Sequence, residues 1–290
     1  MIKYFSVVAM AALVMVGCNS GSKSSEPKAA TLADAKKLAQ NIGTGPEMGQ
    51  NISSLGRKST NNIGNLSSKS RSVVNQACQN GGSMAIDFDE NQFAMGQVPT
   101  SMKMTMAMNQ CAEEGEIVNG TIAFNMKNFS ENMDTMDTEI SFPTDFTVTA
   151  EGKTATIKKG GSMKMQTQAP YEVMTMNMTM TDGSETYGGK NLVYKMQDAG
   201  NSFEVFPVSG SENFGTGVWF TVDSHYDASQ TPMVTDMNGD LQVGGLFKYL
   251  DGANHKVEVE ATATNEVTVR VDENGNGSFE ASEVEVVTAN

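Results

Sequence analysis

Histidine is almost missing from this chain: there are two, His225 and His255. That leaves little room for a Ser or Cys triad or for a zinc-spaced Cys/His set. There is no G-x-S-x-G and no H-E-x-x-H, so known hydrolase motifs are absent as well. Basic residues are few, 20 against 34 acidic ones, for a net charge of −14. A chain of that sign is repelled by nucleic acid, and no Lys/Arg cluster offsets it, which excludes nucleic-acid binding. Aromatics are sparse, with a single tryptophan. Carboxylate pairs such as Glu113-Glu114 and Asp87 with Asp89 read as solvated strand or turn residues in so acidic a chain. The sequence is therefore read as non-catalytic. No apolar run approaches the roughly 20 residues that a membrane-crossing helix needs.

What is present begins with a short segment. Met1-Ile2-Lys3-Tyr4 carries a small positive charge, and Phe5 to Val16 runs without a charged residue. A basic start, an apolar stretch and a small residue before the cut make a secretory signal. Met15-Val16-Gly17-Cys18 resembles the lipobox of bacterial lipoproteins, with Met15 in place of the more usual Leu. That resemblance implies a signal peptide over residues 1–17 and a lipid on Cys18. It also implies a membrane held through that anchor as the first partner. Asn19 after the cysteine implies, by the same resemblance, the outer membrane of a Gram-negative cell. Residues 18–30 are Ser-, Gly-, Lys- and Pro-rich without a large apolar side chain, so they read as a flexible tether.

Cysteine is scarce: Cys18 takes the lipid, leaving Cys78 and Cys111. The alternatives for this pair are a disulfide, two buried thiols or a metal pair. An even pair in an oxidising compartment, with no histidine or third cysteine near, favours the disulfide.

Thr31 to Ile42 shows an apolar stripe at helical spacing (Leu32, Ala35, Leu38, Ala39, Ile42), with Thr31 and Asp34 placed to cap it. Residues 31–80 are read as a helical or irregular segment, with a second short helix over Arg71 to Cys78. From residue 81 to 290 the period changes to two. Met102, Met104, Met106 and Met108 alternate with polar residues, as do Met163 with Met165 and Met174 through Met180; valines take over later, at Val267, Val269 and Val271. This is the pattern of half-buried antiparallel strands, about twelve to sixteen of them. Turn signals fall at Asn119-Gly120, Glu151-Gly152, Gly160-Gly161, Asp182-Gly183, Asn238-Gly239 and Asp251-Gly252. Gly81-Gly82-Ser83-Met84 recurs as Gly160-Gly161-Ser162-Met163. The fold class expected is mainly β: a large curved antiparallel sheet or open barrel with a short N-terminal helix. If there are two domains, the boundary is expected near residues 209–217.

Two features carry chemistry. Asp272 to Glu283 fits D-x-[DN]-x-[DN]-G-x5-E and resembles the calcium loop of EF-hands. In that resemblance Asp272, Asn274, Asn276, the Ser278 carbonyl and Glu283 hold the ion, and Gly277 permits the bend. The flanks read as strands rather than helices, and a polar hairpin turn is the competing reading. Asp236 to Asp240 begins similarly but lacks the later residues, and reads as a hairpin turn. The second feature is methionine, 22 residues of it. Met ladders can be plain core, the lining of a groove for an apolar small molecule, or a soft-metal site for copper. The functional expectation is a lipid-anchored cell-envelope protein with a structural role or another envelope protein as partner. The alternatives are a carrier of an apolar ligand and a copper-binding protein.

Overall fold

The structure is a computed structural model that describes residues 28–40, 72–88, 101–113, 115–128, 137–183, 185–200, 202–223, 231–236 and 240–288. Among these residues the chain is mostly antiparallel strand, with one short α-helix. The mainly β expectation is thus met. Eighteen strands are present among the described residues, more than the alternation suggests, and two long strands fork and pair along their length with several short ones. The signal segment, Cys18, Asn41 and Ile42 lie outside the described residues.

Contacts divide the chain into two compact units. The first takes Met48–Thr167 and Met178–Gly183, and the second takes Asn19–Glu47, Gln168–Asn177 and Ser184–Asn290. The division therefore falls at 167/168, at 177/178 within the strand Tyr171–Asp182, and at 183/184, and not at 209–217.

The first unit is built from β1 (Ser72–Ala77), β2 (Ser83–Phe88), β3 (Ser101–Glu113), β4 (Glu116–Lys127), β5 (Asp137–Ser141), β6 (Phe146–Ala150), β7 (Lys153–Ile157), β8 (Ser162–Gln168) and the second half of β9 (Tyr171–Asp182). β1, β2, β3 and β4 pair in sequence. β4 then forks: its end pairs with β5 and its start with β6. β5 continues to β8, and β6 to β7 and on to the end of β9. Register explains the methionines. Met102 stands opposite Met126, Met104 opposite Phe124 and Met106 opposite Ile122. All six are buried, while Lys103 and Asn109 on the other face are exposed. Directly opposed apolar side chains on one face are what hold antiparallel neighbours together. The same row continues through Ile140 to Met163.

Cys78 and Cys111 form the expected disulfide, with Cα atoms 5.3 Å apart. It fastens the turn after β1 to a bulge in β3, and two backbone hydrogen bonds flank it, from Asn80 to Ala112 and from Ala112 to Gly81. Two local readings are corrected here. The segment 71–78 is not a helix: residues 72–77 are β1, fully registered against β2. Val73 and Val74 are β-branched and favour the extended form once a partner strand supplies hydrogen bonds. Asn119-Gly120 is not a hairpin turn either. It lies inside β4 at the bulge, where the Gln110 amide donates to Asn119 Oδ1 at 2.7 Å. Turns do occur at Glu151-Gly152, Gly160-Gly161, Asp182-Gly183 and Asp251-Gly252.

The second unit comprises helix α1 (Leu32–Gln40), the first half of β9, and β10 (Glu185–Asp198), β11 (Ser202–Phe214), β12 (Phe220–Val222), β13 (Met233–Asp236), β14 (Leu241–Gln242), β15 (Leu246–Leu250), β16 (Lys256–Ala263), β17 (Glu266–Val271) and β18 (Val284–Thr288). β10 pairs with β11, which forks: Ser211 and Glu212 pair with β12, and residues 202–205 pair with β13. β12 leads to β15, and β15, β16, β17 and β18 follow in order. β13 and β14 make the hairpin expected around Asp236 to Asp240, of which 237–239 lie outside the described residues. The expected boundary at 209–217 is instead the end of β11, held between β10 and β12. Gly210 signals a bulge, not a linker: its φ is +93°, and a Cβ there would lie 2.2 Å from the Asn191 carbonyl oxygen.

Val257, Val259, Val267, Val269 and Val271 are wholly buried, together with Phe220 and Phe247. α1 lays Ala35, Leu38 and Ala39 onto β17, β18 and β11. The capping predicted from sequence is present, with the Thr31 amide and hydroxyl both donating to Asp34.

Candidate calcium loop and a buried acid

β17 ends at Val271 and β18 starts at Val284, so the D-x-N-x-N-G segment joins two neighbouring antiparallel strands. The Asp272 amide donates to the Lys256 carbonyl at 2.9 Å, which ties the loop's first residue to β16. The Asp272 side chain then turns inward and is 2 % exposed. Its Oδ1 accepts the Asn276 amide at 2.9 Å, and its Oδ2 accepts the Gly277 amide at 2.8 Å. Asn274 Oδ1 accepts the same Asn276 amide at 2.9 Å, and Asn276 Oδ1 accepts the Ser278 amide at 2.8 Å. Short side chains bonding backbone amides two to five residues ahead wind the chain into successive tight turns. Gly277, at φ +85°, permits the bend that the motif assigned to it.

Glu283 closes the other end and is 5 % exposed. One carboxylate oxygen accepts the Glu273 amide at 3.0 Å, and the other accepts the Glu280 amide at 2.7 Å. Asn274 Nδ2 donates to both Glu283 (3.3 Å) and Glu280 (3.0 Å). The fold therefore gathers Asp272, Asn274, Asn276 and Glu283 into one hydrogen-bonded loop. Ser278 takes part through its amide, and its side chain is exposed. Glu280 is a member that the sequence reading missed. It stands at the ninth loop position, where the motif often supplies a ligand through water, so its signal was present.

The donor set suits calcium in kind: oxygens only, from carboxylates, amides and a main-chain carbonyl. Asp272 and Glu283 bond backbone amides and Asn274, and Lys256 Nζ bonds the Gly277 carbonyl at 3.1 Å. Among the described residues, no three His, Cys, Asp or Glu side chains lie together as a metal cluster. The inventory here differs from that, with two buried carboxylates and the remainder amide and carbonyl oxygen.

This loop also holds α1. The Leu32 amide, in the helix's first turn, donates to Glu273 Oε1 at 2.7 Å. The Ala30 amide donates to Asp251 Oδ2 at 2.6 Å, and Asp251 Oδ1 accepts the Ala253 and His255 amides. His255 rests on Gly275, where a Cβ would come within 2.6 Å of its Nε2. Lys36 reaches Glu285 of β18 at 2.6 Å.

A second polar centre has no sequence motif. Glu212 of β11 is 1 % exposed in the core of the second unit, and the Tyr194 hydroxyl donates to its Oε2. Tyr249 of β15 also acts on its carboxyl.

In comparison with known proteins, no family model, no curated protein and no solved structure matches this chain.

Proposed function

We propose that this chain is a non-catalytic, lipid-anchored protein of the cell envelope, with a structural or partner-binding role. Its 272–283 loop takes one calcium ion. The observation that carries the metal reading is the loop's construction. Two buried carboxylates, Asp272 and Glu283, sit at its ends, and Asn274 links the turns between them. The ion would be held by Asp272, Asn274, Asn276, the Ser278 carbonyl and Glu283. It would neutralise those carboxylates and fix the turn between β17 and β18. With β-strand flanks and two Asn ligands the affinity is modest, on the order of 0.1–1 mM, as in extracellular modules. At 10 mM calcium, such a site stabilises the folded form by about 1.4–2.7 kcal/mol.

Thermal melting in 10 mM calcium and in chelator tests the site, in wild type and in the Asp272→Ala/Glu283→Gln double variant. A rise in the wild type alone supports it; equal melting in both solutions leaves a hairpin turn. The anchor is tested separately by Cys18→Ala, which should release the protein from membranes or leave it unprocessed. Unchanged processing and membrane fractionation would remove the lipid reading.

One observation favours a second reading. The ladders of β3, β8 and β9 turn thioethers inward: Met102, Met163, Met165, Met174 and Met176 are all buried. Thioethers line surfaces that adapt to varied apolar ligands. Native mass spectrometry of protein taken from its own membrane tests the carrier reading: a bound lipid supports it, and bare protein supports a filled core. The same spectrum tests copper by mass.

A further inference from the structure

Glu212 stands on β11 opposite Phe220 of β12 and Gly189 of β10. Its side chain enters a core of Tyr194, Phe220, Phe247 and Tyr249, none more than 1 % exposed. Only one of its oxygens is satisfied. Tyr194 donates to Oε2, while Oε1 has no hydrogen-bond partner. The Tyr249 hydroxyl, equally buried, also has none. Yet Tyr249 lies close enough to act on the carboxyl. Two phenols, from β10 and β15, thus flank one acid from β11, and no cation is among the groups that act on it. An ionised carboxylate can accept from both phenols, yet two neutral donors leave a full charge without a counter-ion in an apolar core. A neutral acid carries no such charge and still engages both, accepting from Tyr194 at Oε2 and donating from Oε1 to the Tyr249 oxygen.

Charges on the packed elements do not supply an alternative. α1 presents Lys37, which reaches the Gly215 carbonyl at 3.5 Å and Glu185 at 3.7 Å. β10 presents Glu185 itself, which accepts from Tyr187 at 2.5 Å. β15 presents Lys248 beside Tyr249; β12 and β13 offer Phe220, Val222 and Met233 to the core. The influences on the Glu212 carboxyl are burial and the two phenols, with no cation among them.

We propose that Glu212 is a proton-operated switch in the second unit: protonated, it closes the Tyr194–Glu212–Tyr249 cluster and locks β10, β11 and β15 together; ionised, it leaves an uncompensated charge in the core and loosens them. Burial pushes the carboxyl up to about 7, against the lowering effect of the two phenols. Burial, and then the adjacent carboxyl, push both phenols well above their usual value, so they remain hydroxyls throughout. The direction of the effect follows. The folded state holds this proton more tightly than the unfolded chain, where the ordinary value is 4.5. Stability from this group is complete below that value and is lost as the pH rises through about 7.

The test is thermal melting of the full chain between pH 5 and 9, at fixed calcium and again in chelator, for wild type and Glu212→Gln. Wild type should lose on the order of 5–10 °C across this range. Glu212→Gln keeps the shape and both hydrogen bonds without the charge. It should lose much less and should melt above wild type at pH 8. Equal pH slopes in the two proteins would overturn the switch. The glutamate side-chain carboxyl carbons of wild type, followed by NMR, give a check that needs no variant. One resonance titrating near neutrality supports the proposal, and all of them titrating in the ordinary carboxylate range would overturn it.

Discussion

Met106 and Lys103 sit three residues apart on β3 and face opposite ways, the first buried and the second exposed. Met106→Ala should cost about 2–5 kcal/mol in chemical denaturation, because it empties space opposite Ile122. Lys103→Ala should stay within about 0.5 kcal/mol, as surface changes do. Equal costs would mean that the ladder does not face the core. This difference was legible in the sequence, since alternation with lysine, threonine and asparagine fixes which face a thioether takes. Glu212 was not legible. Strand alternation assigns inward positions to apolar residues, and the bulge at Gly210 shifts the count just before it. An isolated acid in an acidic chain reads as surface; only the fold shows that it meets Tyr194, eighteen residues away in sequence.

At the scale of elements, hairpins and the helix were readable because their causes are local. The Thr31–Asp34 cap and the Glu151-Gly152 turn each need only neighbouring residues. The forks of β4 and β11 were not readable, because which half of a strand meets which partner depends on distant segments. For the same reason Asn119-Gly120 read as a turn and residues 71–78 read as a helix. The disulfide links two such elements. It closes a loop spanning 33 residues, for which the chain-entropy account gives roughly 3–4 kcal/mol. Melting of the Cys78→Ser/Cys111→Ser protein should show that loss; an unchanged midpoint would mean that the bond constrains little. The helix has its own test. Glu273→Ala removes the acceptor of the Leu32 amide, a cap contact worth about 1 kcal/mol. Hydrogen exchange over residues 32–40 should quicken while exchange in β3 and β4 does not change.

At the scale of the whole molecule, the candidate calcium loop was readable as a motif, but its hold on α1 was not, because 241 positions separate Leu32 from Glu273. Ending the chain after Val271 removes the loop and β18, and with them Glu273 and Glu285. Trypsin should then cut at Lys36 and Lys37 faster than in the full chain, while the Cys78–Cys111 bond still forms. Protection of those lysines in the shortened protein would show that β17 and β11 suffice to dock the helix.

That separation also sets an order of events during synthesis. A ribosome adding about 5–20 residues per second needs roughly 10–45 s to travel from Ala30 to its acceptor, Asp251, 221 positions later. Over that interval α1 lacks Asp251, Glu273 and the strands β17 and β18, and nine residues are too few to stay helical alone. The first unit's strands, by contrast, have all been made by residue 183. Nascent chains halted at increasing lengths should therefore gain protease resistance in two steps, with residues 72–167 first and residues 28–40 only after β18 has emerged.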